Sequence, residues 1–173
     1  MNRIFCRSAV SLLLASLTVS AAGELPTVGN DADRYYVAVV EDVAQGPALL
    51  AGDYAEAIDK LADQSDRRFS TRNNLCAAYI AAKDLTMAEQ ACDVAVSVSQ
   101  RGLRHRDDWQ RKEKRREHAY ALTNRGVAAA LTGRSEEALR DFQLAVKLDS
   151  TLPEPAANLR RLESKTRNVL AEL

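Results

Sequence analysis

Aromatic residues make up only 5% of this 173-residue chain. A core must therefore be built from Ala, Leu and Val, whose small side chains let helices approach closely. Seven glycines and four prolines leave few helix breakers among abundant Ala, Leu, Glu and Arg. Net charge is absent too: 24 basic residues balance 24 acidic ones, which argues against a global nucleic-acid or membrane-surface role. There is no Gly-rich phosphate loop and no metal-type cysteine pairing. The two histidines, His105 and His118, lie in one highly charged stretch with no partner at a recognised catalytic spacing, and both read as solvated surface. No catalytic, cofactor or metal site is expected, and the chain reads as a non-enzyme.

What is present begins at the N-terminus. Arg3 and Arg7 precede an apolar stretch from Ala9 to Val19, and small residues follow through Ala22. That order reads as a secretory signal peptide over 1–22, too short to span a bilayer comfortably. Cleavage after Ala21 or Ala22 leaves a mature chain beginning near Gly23, exported to a periplasmic or secreted location. No later segment is long or apolar enough to cross a membrane. Removing Arg3 and Arg7 leaves 22 basic residues against 24 acidic, so the mature chain is slightly acidic. It is long enough for one domain with a real core.

Three segments share a pattern. They are Gly52-Asp53-Tyr54-Ala55-Glu56-Ala57-Ile58 before Leu61, Lys83-Asp84-Leu85-Thr86-Met87-Ala88-Glu89 before Cys92, and Gly133-Arg134-Ser135-Glu136-Glu137-Ala138-Leu139 before Phe142. Each has a turn residue, an alanine five places on, and a bulkier apolar residue four places after that. The stretches ahead of the turns align as well, Asn74-Leu75-Cys76-Ala77 with Asn124-Arg125-Gly126-Val127, and Asn158-Leu159 returns 34 residues after Asn124. One helix pair of this kind cannot bury its apolar face alone, but stacked neighbours bury it together.

The pattern, covering about Ala48 to Glu163, resembles the tetratricopeptide repeat family, whose units are 34-residue antiparallel helix pairs. The resemblance implies an all-α, right-handed superhelix of about three units over 48–173, closed by a capping helix from about Glu154 to Leu170. The family's tryptophan and closing proline are missing. Ala57 and Ala88 are 31 apart and Ala88 and Ala138 are 50 apart, so one junction is short by three and the next carries an insertion of 16 at about 101–118. Residues 23–47 form a leader and irregular segment. Within it Glu24 to Asp33 reads as mobile, and Tyr35-Tyr36-Val37-Ala38-Val39-Val40 is β-prone, expected to be extended or irregular and packed along the first helix pair. Gly46-Pro47 interrupts what should be the first helix.

The insertion holds eight Lys/Arg against four Asp/Glu, plus Trp109. Asp107 or Asp108 can cap a helix start, and no Gly or Pro follows until Gly126, so Asp108 to Leu131 reads as one long helix. Arg111, Lys112, Lys114, Arg115 and Arg116 form a positive patch, either a docking surface or a solvated extension. Cys76 and Cys92 fall at comparable heights on facing helices of one unit. They are expected to pair as a disulfide, the alternative being two small core residues at close-packed positions.

In this family the first helix of each unit lines a concave groove for extended peptides. Here the resemblance implies a face of Asn73, Asn74 and Ala77, then Thr123, Asn124 and Val127, then Asn158 and Arg161. A side-chain amide both donates and accepts, which suits a peptide backbone. The family's lysine-rich carboxylate clamp is absent. The function expected is a non-enzymatic protein–protein interaction scaffold holding a partner segment in the groove. The alternative is a binder of an anionic envelope component or acidic protein through the basic helix around 111–116. Nucleic acid is not an expected partner. Three short units leave an open end near Tyr35 and Tyr36 that allows self-association.

Overall fold

Among the described residues of the computed structural model, seven helices follow the helix-forming runs. Residues 27–28, 34–41, 43, 45–65, 67–104 and 108–171 are described. The helices are α1 (Gly46–Ala51), α2 (Tyr54–Ala62), α3 (Phe69–Ala81), α4 (Leu85–Gly102), α5 (Asp108–Leu131), α6 (Ser135–Leu148) and α7 (Pro153–Ala171). The fold is all-α, with one minimal antiparallel ladder between β1 (Thr27–Val28) and β2 (Tyr35–Tyr36). The signal-peptide expectation over 1–22 and His105 lie outside the described residues.

The tight reversals within the pairs fall where the repeated turn residues stand. Gly52 has φ 90°, Lys83 φ 63° and Gly133 φ 81°, each ending a first helix in the left-handed conformation that stops helix propagation. After Lys83, the Asp84 carboxylate accepts the Met87 amide and caps α4. Each helix then packs on its successor, and α1, α3, α5 and α7 also touch in succession. Alanines 57, 88, 95, 138 and 145 are fully buried, so small residues do sit in the seams. Gly126 has a specific reason. A Cβ there would lie 2.6 Å from Phe142 Cε1, so its absence lets that buried ring rest directly on α5.

The 16 additional residues lengthen α4 and α5 together. Gly102 at the end of α4 lies close against the Lys114 side chain on α5. A second core beneath this end joins Phe69, Ala95, Val96, Ala119, Ala121, Leu122, Ala145 and Leu152.

Two expectations change here. The β-prone segment is extended, but it does not lie along the first helix pair. It crosses the first helices of the later units, as its bonds to α3, α5 and α7 show. The first unit is thereby explained: α1 is only six residues long, because the chain that would have formed its upstream turns is spent on the crossing segment. Pro47 does not interrupt a helix but sits in the first turn of α1, where its missing N–H costs nothing. The leader is likewise not wholly without structure, since Thr27 and Val28 pair with Tyr36 and Tyr35.

Candidate functional site

The repeat places one asparagine at the same position of three first helices: Asn74 on α3, Asn124 on α5 and Asn158 on α7. Each side-chain amide meets one residue of the extended segment twice. Asn158 Oδ1 accepts the Tyr36 amide at 2.8 Å, and its Nδ2 donates to the Tyr36 carbonyl at 2.8 Å. Asn124 does the same to Ala38 at 2.8 and 2.8 Å. Asn74 does the same to Val40 at 2.9 and 2.9 Å.

The spacing follows from strand geometry. In an extended chain the N–H and C=O of one residue point to the same edge, and alternate residues share that edge. Residues 36, 38 and 40 therefore offer one row of paired polar groups, and the three amides form a second row opposite. The ladder works as a neighbouring β-strand would, but it is assembled from side chains of separate helices. The segment runs from α7 to α3, against the order of the helices in sequence.

Asn73 and Arg161 complete the surround. Asn73 Nδ2 donates to the Ala38 carbonyl at 3.0 Å, while its Oδ1 accepts from Asn124 Nδ2 at 3.2 Å. Asn73, Asn74, Asn124 and Asn158 are all fully buried, a placement that asparagine tolerates only when its amide is bonded. Arg161 Nη1 donates to the Arg34 carbonyl at 2.8 Å. The opposite set of side chains goes into the core. Tyr35 and Val37 are each 1% exposed, and the Tyr35 ring stacks on Phe142 at 6.2 Å between centroids.

Thus Asn73, Asn74, Asn124, Asn158 and Arg161 come together around one object, a segment of their own chain. Arg111, Lys112 and Arg115 stand apart from them, exposed on the first half of α5. Arg111 pairs with Asp108, Arg115 donates to the Lys147 carbonyl at 3.3 Å, and Arg116 lies over the Tyr120 ring at 5.7 Å. Cys76 on α3 and Cys92 on α4 are joined by a disulfide.

His118 corrects the sequence reading. It is buried, not solvated, and its Nδ1 lies 2.9 Å from Ser99 Oγ. Ser99 Oγ also donates to the Val96 carbonyl at 2.9 Å. Ser99 is itself 1% exposed, and the pair ties α4 to α5 within a buried seam. Burial, helped by the Arg125 guanidinium, holds the imidazole below its ordinary pKa. Arg125 is engaged by Asp141 through two bonds of 2.7 and 2.8 Å.

The bidentate contacts to alternate residues were missed in sequence reasoning, although their donors were named. The signal was the β-prone run from Tyr35 to Val40 ahead of a chain with an asparagine at each matching repeat position. No family model, no curated protein and no solved structure matches this chain.

Proposed function

We propose that this protein is a non-enzymatic interaction scaffold of tetratricopeptide type, exported from the cell, that recognises an extended polypeptide segment on the face formed by α3, α5 and α7. The observation that carries the reading is the set of three buried asparagines, each bonding both polar atoms of one main-chain residue at two-residue intervals. Such bonds read main chain and tolerate many sequences, as strand addition does. The recurring turns and first-helix contacts support a superhelical stack of helix pairs. The Cys76–Cys92 disulfide supports an oxidising compartment, in keeping with the N-terminal composition.

The test is selection of peptides on the full chain, followed by NMR of the asparagine side-chain amides. Selected peptides are expected to shift the Nδ2 resonances of Asn74, Asn124 and Asn158. Peptides that shift only residues around Arg111 to Arg116 would transfer the function to the basic helix. Failure to find any peptide that touches the asparagines, even when supplied above about 1 mM to outweigh the chain's own segment, would sink the groove reading.

A further inference from the structure

Residues 34–40 occupy the face that the scaffold reading reserves for a partner, and they show what such a partner looks like. We propose that this segment is a displaceable internal ligand. The partner segment that replaces it is extended and carries, in order, an aromatic residue, any residue, a β-branched residue and an alanine-sized residue. The inference rests on the scaffold reading above and adds to it a ligand class and a mode of competition.

The order is read from burial along the segment. Tyr35 and Val37 are 1% exposed and Ala38 is fully buried, whereas Tyr36, Val39 and Val40 are only half-buried. The asparagines bond main chain at 36, 38 and 40, so these bonds impose no side-chain preference. The fully buried side chains at 35, 37 and 38 carry most of the selectivity, with Val39 and Val40 packed in part against the cores. The first site is floored by Phe142, whose position depends on the missing Cβ of Gly126. The third belongs to the main core with Leu75, Ala77, Val127 and Leu162. At the fourth, Ala38 is fully buried, so the site takes a side chain of alanine size.

Exchange requires no new chemistry, because the bonds at 36, 38 and 40 go to main-chain atoms. A second extended segment brings the same atoms and can make the same bonds. The barrier is the tether. The segment returns to α1 through a short turn, closed by the Gly46 amide donating to the Val43 carbonyl at 2.9 Å. A Cβ on Gly46 would lie 2.4 Å from the Glu41 carbonyl oxygen, so this turn is held tightly against the helix start. A short tether keeps a ligand at an effective concentration of about 1 mM. A free segment of equal intrinsic affinity at about 10 µM therefore fills only about 1% of the faces. The tethered segment thus screens out weak competitors.

The experiment uses the full chain with a protease site inserted after Glu41, which is exposed. A labelled peptide of sequence Arg34 to Val40 is titrated into uncut and cut protein by fluorescence anisotropy, with circular dichroism confirming that both are folded. Cutting is expected to tighten apparent binding by at least about 100-fold. In the cut form, peptides with Tyr35→Ala, Val37→Asp or Ala38→Leu should lose about 10-fold or more, while Tyr36→Ser should stay within about 3-fold. Equal binding by cut and uncut protein overturns the competition. Equal binding of all the variant peptides overturns the side-chain pattern but leaves main-chain recognition standing. A folded cut protein that binds no peptide overturns the scaffold reading itself.

Discussion

Replacing Asn124 with alanine tests the ladder at its most buried rung. The substitution removes bonds to the Ala38 amide, the Ala38 carbonyl and Asn73 Oδ1. These losses differ in weight. The Ala38 carbonyl still accepts from Asn73 Nδ2, so it is not stranded. The Ala38 amide loses its bond in a site without solvent access, which costs about 1–3 kcal/mol, and each further bond lost adds about 1 kcal/mol. The expected total is about 3–5 kcal/mol, a large share of a small domain's stability. Asn74 and Asn158 serve half-buried residues, where water can replace the amide, so Asn74→Ala and Asn158→Ala should cost about half as much. Urea denaturation gives the totals, and amide exchange at Tyr36, Ala38 and Val40 shows where they fall. Protection at Ala38 should drop by about 30-fold or more in Asn124→Ala. A cost below about 1 kcal/mol with unchanged exchange at Ala38 would mean that the asparagines do not hold the segment.

Four further outcomes follow from the same contacts. Replacing Cys76 and Cys92 together by alanine reopens a loop with a sequence separation of 16, and chemical denaturation should show a loss of about 3 kcal/mol. Gly126→Ala should destabilise by about 1–2 kcal/mol although alanine favours helix, because the new methyl meets the buried Phe142 ring; a rise in melting temperature would contradict this. Lys83→Gly should stabilise by about 1 kcal/mol, since Lys83 is exposed and has φ 63°, and a thermal melt reads it directly. Two groups give opposite pH signatures. His118 has a lowered pKa in the folded protein through burial, so the unfolded chain binds its proton more readily and stability falls as pH drops below about 6.5. Burial raises the Glu154 pKa, so its contribution falls as pH rises above about 4.5. His118→Gln should flatten the first dependence and Glu154→Gln the second, as measured by urea midpoints across pH 4–8.

The helices were readable in the sequence where the pattern was local. The 24-residue α5 begins at Asp108 and ends at Leu131, as the lack of Gly and Pro before Gly126 required. The last helix needed only its two prolines and the 34-residue return of asparagine. The site was readable by half. Repetition identified which asparagines share a face, but their occupant lies 34, 86 and 122 residues away in sequence, and no local propensity reports such pairings. The β-prone composition of Tyr35 to Val40 announced an extended chain without saying what it would lie against. His118 failed for a similar reason. Its neighbours on α5 are charged, but its ring faces Ser99 on α4 across a seam created by the lengthened helices.

The crossing segment has a further consequence for how the protein is made. Helix-pair arrays are quasi-one-dimensional, and each unit can settle on the one before it as the chain emerges. Residues 34–40 break that order. They are synthesised early, yet Tyr36 waits for Asn158, 122 positions later. At about 5–20 residues per second the interval is roughly 6–24 s. Through it an uncharged run, Tyr35-Tyr36-Val37-Ala38-Val39-Val40, has no complete binding face, and such runs associate readily with other extended chains. Closure waits for α7 and joins it to residues made 122 positions earlier. A ribosome stalled before α7 would therefore carry stacked helix pairs and an unshielded strand.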